Sequence, residues 1–375
     1  MKANKYLRVL YKDRMVGTLA LTKEKQIAFE YDDGWLTDGF SISPFSLPME
    51  KRVFIPSKNH FNGLFGVFAD SLPDAWGRLI LDRLLQKNNI KPGDITVLDR
   101  LAIVGNEGRG ALRYQPDYNL IAGYPELDLA FLALESKKLL ETDKSEELDA
   151  LYKLGGTSGG ARPKVMMDID GTEWIIKFPA RGESFDVGKS EYQYSLWAKE
   201  CGIDMTRTRL FPSKLGDGYF GIERFDKVNN DSGKTRTHVL TVAALLELDF
   251  EQPSLDYHEL MKLTKILTKD NPHHVENMFR RACFNVFFHN RDDHSKNFSF
   301  LYDELLNRWY LAPAYDLTYS TTYYGEHTTS VDGNGKNPGE KELLRVGLKA
   351  GMDKKKCNAI IDAIQGIRKK ATVDY

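Results

Sequence analysis

Asp292 and Asn297 lie five positions apart in a polar stretch between two strongly apolar segments. A carboxylate at the first position can orient and deprotonate an attacking hydroxyl, and an amide oxygen at the second can hold Mg²⁺ against the phosphates of a nucleotide. A further acid, Asp316, lies 19 positions beyond Asn297, which leaves room for a β-hairpin to return it to the same site. These residue types at these spacings predict transfer of a phosphoryl group from a nucleotide to a hydroxyl.

The spacing of Asp292 and Asn297 is that of the catalytic loop of protein kinases. Lys296 and His294 lie within the loop and join Asp292 as candidate catalytic residues. Burying so many polar side chains between apolar segments would cost free energy unless ligands or mutual hydrogen bonds satisfied them. This favours a functional role for the loop. Oxygen ligands from Asn297 and Asp316 suit Mg²⁺ better than zinc, because no second histidine has suitable spacing.

A glycine-rich stretch precedes the first strand of a predicted sheet and supplies a second set of candidates. Its glycines let backbone amides approach phosphate oxygens, although it is not a Walker A motif, and a plain flexible turn fits the pattern equally well. The candidate nucleotide-binding residues here are Thr157, Ser158, Gly159, Gly160, Ala161, Arg162 and Lys164.

Two strands of the same sheet offer further contacts to a nucleotide. Lys177 lies among apolar residues just beyond the glycine-rich stretch, where the phosphate-binding lysine of kinases lies, although a strand lysine facing water is the simpler interpretation. Glu191 on the next predicted helix is its natural ionic partner. The backbone atoms of Glu223 and Phe225, at the end of a later strand, are candidates for the adenine edge.

Composition limits which classes of protein and which partners are expected. The chain has 375 residues, 42% of them hydrophobic, and a net charge of −1, so no global charge imbalance points to nucleic acid or an anionic membrane. Its three cysteines form neither a disulfide framework nor a CxxC metal site. No signal peptide or membrane-length apolar run is visible, and we therefore expect a soluble cytoplasmic protein without a membrane partner.

Hydrophobic periodicity predicts a β-meander over 6–31 and a helical stretch over 62–85 that restarts near Pro73. Asp170-Gly171 predicts a hairpin turn between strands at 164–169 and 173–178. A helix over 190–201 and a strand pair at 209–215 and 219–225 follow. Helices at 240–248, 258–267 and 278–288 lead into the catalytic loop, and strands at 298–302 and 308–311 lie between that loop and Asp316.

Taken together, the motifs resemble the HipA family, the serine/threonine kinase toxins of bacterial HipAB-type toxin–antitoxin systems. The resemblance rests on the ordered segments GGARPK at 159–164, IKFP at 176–179, ERFD at 223–226, DDHSKN at 292–297 and YD at 315–316. It implies an α+β, two-lobed kinase-like fold with a β-rich N-lobe, a helical C-lobe and an additional N-terminal α/β domain. The expected domains are 1–120 (N-terminal), 121–226 (ATP-binding lobe) and 227–375 (catalytic lobe).

The same resemblance implies roles and partners. The resemblance makes Asp292 the catalytic aspartate and Asn297 and Asp316 the Mg²⁺ ligands, and it assigns ATP binding to Lys177 and the loop 157–164. Thr157, or the adjacent Ser158, falls at the family's autophosphorylation position. A HipB-like helix-turn-helix antitoxin is the implied partner, with operator DNA reached through it, and translation-associated proteins such as an aminoacyl-tRNA synthetase are the implied substrates.

Three alternatives remain open from the residues alone. A small-molecule kinase could use the same machinery. A pseudokinase or interaction module in a repressor complex could bind without turnover, although it need not keep Lys177, Asp292, Asn297 and Asp316 together. A metal-dependent hydrolase built on the Asp/His cluster would release phosphate without any acceptor.

Overall fold

The computed structural model describes residues 4–58, 60–118, 120–121, 127–184, 186–230, 233–322 and 324–371. The chain forms two compact units. The first contains 1–189, 209–240 and 244–247, and the second contains 190–208, 241–243 and 248–375. No helix in the described ranges is both long and apolar enough to cross a bilayer.

The first unit begins with an antiparallel five-stranded sheet in the order β4-β3-β2-β1-β5. Alternating burial along the strands places one face of this sheet in the core. Its strands are β1 (Tyr6–Tyr11), β2 (Arg14–Leu21), β3 (Ile27–Tyr31), β4 (Val53–Phe54) and β5 (Leu112–Gln115). Its helices are α1 (Asp33–Asp38), α2 (Gly66–Ala69), α3 (Ala75–Lys87) and α4 (Val97–Val104).

A second sheet of the same unit carries the glycine-rich loop. Helices α5 (Leu129–Thr142) and α6 (Leu148–Gly155) precede it, and its strands run in the order β6-β7-β9-β8. They are β6 (Lys164–Ile169), β7 (Thr172–Lys177), β8 (Thr208–Phe211) and β9 (Tyr219–Glu223), and the hairpin β10 (Lys227–Asn230) and β11 (Gly233–Arg236) follows. Asp170 and Gly171 have φ of 53° and 75°, as a two-residue hairpin turn requires.

The second unit is mainly helical. Its helices α9 (Tyr257–Leu267), α10 (Pro272–Phe287), α11 (Glu340–Lys349) and α12 (Lys354–Lys370) pack on one another, and its short strands are β13 (Leu255–Asp256), β14 (Ser299–Asp303), β15 (Arg308–Leu311) and β16 (Thr329–Ser330). Strands β14 and β15 form the hairpin that leads from the catalytic loop toward Asp316. The chain passes between the units within α7 (Val187–Glu200), β12 (Val239–Thr241) and α8 (Val242–Leu246).

Two predicted helices were too long. In the stretch predicted over 62–85, the first helix covers only Gly66–Ala69, because Asn62 and Gly63 have φ of 54° and 79° and cannot start a right-handed helix. The second helix, α3, begins at Ala75, close to the restart predicted near Pro73. The predicted helix at 240–248 is a strand over Val239–Thr241 followed by a short helix. Helix α4, strand β5 and the β10–β11 hairpin were not predicted.

Candidate active site

The catalytic loop leaves the end of α10 and is shaped by its own backbone and side chains. The Asn297 side-chain amide donates to the Asp292 carbonyl oxygen over 2.7 Å, which fixes the orientation of the Asn297 Oδ1. The His294 Nδ1 accepts a hydrogen bond from the Lys296 amide at 3.2 Å, so the histidine caps the short turn Ser295–Asn297. The two key positions of the motif are therefore tied together by a direct hydrogen bond.

The Asp292 carboxylate keeps access to solvent, since 58% of its side-chain surface is exposed. Partial loss of water around it raises its pKa, and the negative charges of Asp316 and Asp293 raise it further, while His294 acts in the opposite direction. The His294 Nε2 lies 3.9 Å from Asp292 Oδ1. Asp316 is therefore close enough to Asp292 to interact with it electrostatically.

Asp316 is held in place by the residue before it. The Tyr315 hydroxyl donates to the Lys296 carbonyl oxygen at 2.7 Å and lies 2.5 Å from the Ser299 Oγ. Asp316 itself has a φ of 54°, a left-handed conformation that is uncommon for a residue other than glycine.

A buried polar network lies beneath the loop. Asp293, which is fully buried, accepts hydrogen bonds from the Tyr257 hydroxyl (2.9 Å) and the Thr329 amide (3.0 Å), and its Oδ2 lies 3.0 Å from His327 Nδ1. The Thr329 hydroxyl donates to the Asp293 carbonyl oxygen. Asn285 donates to the Tyr257 oxygen at 2.8 Å. Of the two adjacent acids, Asp293 is therefore an anchor and Asp292 is left for chemistry.

The two remaining loop candidates contact a neighbouring aromatic residue. The Lys296 Nζ lies 4.1 Å from the centroid of the Phe250 ring, and the His294 ring lies 5.9 Å from the same ring. A cation over an aromatic face is held without losing its charge. Within the described residues no group of three His, Cys, Asp or Glu side chains could hold a metal by itself. The oxygens of Asn297 and Asp316 fit a hard cation such as Mg²⁺ that completes its coordination with water and phosphate.

The glycine-rich loop in the first unit is satisfied internally. The Gly160 amide, in a residue with a φ of 83°, donates to Asp74 Oδ2 at 2.9 Å. The Lys164 ammonium donates to the Gly159 carbonyl oxygen at 2.5 Å, and Arg162 pairs with Glu183. Asp74 thus places a carboxylate on a loop amide where a phosphate oxygen could bind.

Both candidate phosphorylation residues of this loop are buried. The Thr157 hydroxyl donates to the Glu107 carbonyl oxygen at 3.0 Å, and the Ser158 hydroxyl donates to the Gly155 carbonyl oxygen at 2.6 Å. Neither oxygen can reach a phosphoryl donor until its hydrogen bond is broken. Ala161 lies in the same loop, between Gly160 and Arg162.

Lys177 is buried at the end of β7, directly opposite Lys164 on β6, and its ammonium lies 5.5 Å from the centroid of the Phe220 ring. Glu191 is buried on α7 in the second unit, so its pairing with Lys177 stays a prediction. Glu223 ends β9 opposite Trp174, and Phe225 follows it with its ring 6.0 Å from the Arg109 guanidinium carbon. Their roles toward adenine also stay predictions.

Comparisons with known proteins assign both halves of the chain to one family. Residues 7–115 match the HipA N-terminal domain, and residues 156–371 match the HipA-like C-terminal domain. This chain belongs to the HipA family. A Sinorhizobium fredii protein whose name carries the word kinase, Y4mE, is 26% identical over 346 residues, which span 84% of this chain and 78% of that protein.

A solved HipA-family structure shares the fold. A chain from the complex of the Shewanella oneidensis MR-1 toxin–antitoxin proteins HipA and HipB with their operator DNA superposes with a TM-score of 0.69 at 18% identity. The match covers 98% of this chain and 92% of that one. The predicted HipA membership and the α+β kinase-like fold class are therefore confirmed.

Sequence reasoning did not find the anchors of the HipA-type loop. Tyr257, His327 and Thr329 are far from the loop in sequence, and nothing in their local pattern marks them. The one available signal was the doubled acid Asp292-Asp293 beside strongly apolar segments, which suggests that not both carboxylates are solvated.

Proposed function

We propose that this protein is an ATP- and Mg²⁺-dependent serine/threonine protein kinase that acts as the toxin of a HipAB-like system in the cytoplasm. It phosphorylates a translation-associated protein and itself. The observation that supports this best is the geometry of the second unit. Support comes from the hydrogen bond from the Asn297 side chain to the Asp292 carbonyl oxygen and from the electrostatic interaction between Asp316 and Asp292, as expected if one proton acceptor and two oxygen ligands share a site.

In this mechanism Asp292 orients the hydroxyl of a protein serine or threonine and accepts its proton as the phosphoryl group transfers. The Asn297 Oδ1 and the Asp316 carboxylate would hold Mg²⁺, which would neutralise the charge of the nucleotide phosphates when bound. Lys296 adds positive charge beside the transferred group, and His294 keeps the loop in its turn. The protein acts by positioning more than by covalent chemistry.

The first unit would hold the nucleotide. Lys177 and the loop 157–164 bind the phosphates, whose oxygens would replace Asp74 as the partner of the Gly160 amide and the Gly159 carbonyl oxygen as the partner of the Lys164 ammonium. The backbone of Glu223 and Phe225 binds the adenine edge. Release of the loop for autophosphorylation at Thr157 or Ser158 requires that the buried hydrogen bonds of these hydroxyls break first.

The partner proposed is a HipB-like helix-turn-helix antitoxin, through which the protein would reach operator DNA. The support is the structural likeness to a chain solved together with HipB and operator DNA in Shewanella oneidensis. The substrate class, an aminoacyl-tRNA synthetase or another translation-associated protein, rests on family membership alone.

The test is incubation of purified protein with radiolabelled ATP and Mg²⁺, followed by detection of labelled protein. We expect Asp292→Asn to retain the fold by circular dichroism and to lose at least about a hundredfold in labelling rate, as removal of a general base does. Asp270→Asn is the matched control, because Asp270 is an exposed acid of the same unit that pairs only loosely with Lys265 at 3.6 Å. Equal labelling of Asp292→Asn and the wild type would refute the proposal, and phosphate release without labelled protein would favour hydrolysis.

A further inference from the structure

The hairpin formed by β10 and β11 in the first unit places two cationic side chains against each other. Lys227 and Arg236 are cross-strand partners at the open end of this antiparallel pair. Side chains at such partner positions lie on the same face of the hairpin, with Cβ atoms about 5 Å apart. Like charges directly opposite each other destabilise a strand pair. The arrangement is therefore unfavourable unless an anion lies between the two cations.

These two side chains lack a counter-charge. Both are half-buried, and the residues that the structure describes give neither side chain a hydrogen bond or an ion pair. The Arg236 Nη1 is fully buried in this state. Burial, and then the positive charges of Arg224 and Arg236, lower the pKa of Lys227 to about 8. Burial also lowers the pKa of Arg236. Both shifts indicate positive charge that its surroundings compensate poorly.

Strand β5 adds a third cation. A Cβ atom built on Gly110 would lie 2.9 Å from the Val239 Cγ1, so the chain that enters β5 lies against the chain that leaves β11. Arg113, three positions after Gly110, is close enough to Arg236 to lower its pKa by charge repulsion. The Arg113 Nε is buried without a hydrogen-bond partner, and its Nη1 lies 3.3 Å from the carboxylate of Asp13, whose side chain is 99% exposed. We call Lys227, Arg236 and Arg113 the basic cluster.

The acids nearest to the basic cluster are already paired. Asp226 accepts two hydrogen bonds from Arg224, at 3.0 and 2.7 Å. Glu107 pairs with Lys153 at 2.8 Å. Both carboxylates interact with Lys227 only at longer range. The three cations of the cluster therefore share one exposed carboxylate, which water screens strongly.

The basic cluster is separate from the proposed ATP-phosphate site. The Arg224 amide donates to the Glu173 carbonyl oxygen at 2.9 Å, and β10 packs beside β7 from there. Glu173 lies at the start of β7, whereas Lys177 is its last residue. At about 3.3 Å per residue the two positions are about 13 Å apart. The cluster therefore lies at the opposite end of the strand from Lys177.

We propose that Lys227, Arg236 and Arg113 form a second anion site, which binds the phosphate group of a small molecule. A dianionic phosphate accepts charge-assisted hydrogen bonds from guanidinium and ammonium donors at once. It would give partners to the buried Arg236 Nη1 and Arg113 Nε and would relieve the repulsion across the hairpin. Because the cations are half-buried, they suit a single phosphate group better than the continuous backbone of a nucleic acid. The free phosphate ion and a phosphate ester share this chemistry.

The experiment measures binding of inorganic phosphate to the purified protein by isothermal titration calorimetry, without nucleotide or Mg²⁺ and at constant ionic strength. Wild-type protein should bind phosphate with a Kd below about 1 mM. Arg236→Gln and Lys227→Gln should each weaken binding at least about tenfold, as loss of a charge-assisted hydrogen bond predicts, and Arg113→Gln should act in the same direction. Lys51→Gln is the matched control, because Lys51 is an exposed lysine of the same unit, and it should bind as wild type does.

Thermal unfolding separates a binding role of Lys227 from a structural one. In phosphate-free buffer Lys227→Gln removes the like-charge pair, so its unfolding midpoint should equal or exceed that of wild type. With saturating phosphate the order should reverse, because the ligand stabilises the folded wild-type protein more strongly. A midpoint for Lys227→Gln that is well below wild type already without phosphate would assign the lysine a structural role and overturn the proposal.

The remaining outcomes are equally decisive. Phosphate binding that is absent from wild type, or unchanged in all three cluster variants, overturns the site. Glycerol 3-phosphate distinguishes the sources: tighter binding than inorganic phosphate supports a phosphorylated metabolite, and weaker binding supports the free ion. An oligonucleotide that binds through the same residues while phosphate does not would replace the proposal by a nucleic-acid surface. None of these measurements requires turnover, so their result is independent of the proposed kinase function.

Discussion

The buried hydroxyl of Tyr257 provides a quantitative test of how the catalytic loop is held. It donates to the fully buried Asp293 carboxylate at 2.9 Å and accepts from the Asn285 amide at 2.8 Å. Burial, and then the charge of Asp293, raise the pKa of Tyr257 well above its usual value, so the hydroxyl stays a donor at all working pH values. Both hydrogen bonds lie in the interior and depend on a single oxygen atom.

Tyr257→Phe removes that oxygen while keeping the ring and its packing. Two buried polar groups are left short of a partner, each at a cost of about 1–3 kcal/mol, with the charged one at the upper end. We therefore expect unfolding free energy to fall by about 3–5 kcal/mol. Phosphotransfer should also fall, because Asp293 is covalently joined to Asp292 and its position sets that of the proton acceptor.

The assay is urea-induced unfolding followed by fluorescence, with Tyr302→Phe as the matched control. The Tyr302 hydroxyl donates to Asn307 Oδ1 at 2.6 Å at the edge of the β14–β15 hairpin, where water can replace it. Its removal should cost about 1 kcal/mol or less. A loss no larger for Tyr257→Phe than for Tyr302→Phe would refute the idea that this network holds the loop.

Three further predictions concern other parts of the chain. Arg224→Met removes two bonds of 3.0 and 2.7 Å to the buried Asp226 and should lower unfolding free energy by about 3–5 kcal/mol in the same urea assay. Burial alone would raise the pKa of Asp226, but Arg224 and the Gly110 amide lower it well below its usual range. The stability that Asp226 contributes should therefore be complete above about pH 4 and decline as pH falls further, so that the advantage of wild type over Asp226→Asn shrinks on acidification. Tyr315→Phe should raise the Mg²⁺ concentration needed for half-maximal ATP turnover about tenfold, as loss of a residue that orients a metal ligand does, and an unchanged Mg²⁺ requirement would contradict this role.

Local sequence signals predicted the elements whose determinants are local. The turn Asp170-Gly171 fixed its hairpin, and the apolar run before the catalytic loop predicted the end of α10. Strand β5 was missed because its four residues gain their order from β1, about a hundred positions away. The first helix of the stretch predicted over 62–85 was predicted too long, because a hydrophobic face does not reveal the two left-handed residues, Asn62 and Gly63, that precede its actual start.

The residues of the candidate active site also separate into those that local spacing suggested and those that depend on long-range contacts. The spacing of Asp292, Asn297 and Asp316 suggested a shared site from sequence alone; the structure adds a hydrogen bond between the first two and an electrostatic interaction between Asp316 and Asp292, and their roles stay predictions. Which of the adjacent acids 292 and 293 faces solvent depends on Tyr257 and His327, which come from distant parts of the chain. Long-range partners of this kind have no periodicity or spacing that a single sequence could reveal.

Residues within the first 115 positions form hydrogen bonds with the sheet under the glycine-rich loop and with the segment that follows it. The Asp226 carboxylate accepts a hydrogen bond from the Gly110 amide at 2.8 Å, and the Trp76 indole donates to the Lys164 carbonyl oxygen at 3.2 Å. Trp76 also packs into the same apolar cluster as Trp174. A recombinant fragment cut just before the glycine-rich loop would therefore lose the Trp76 indole from its apolar cluster and the Gly110 amide from the Asp226 carboxylate, and the two halves are better produced as one polypeptide.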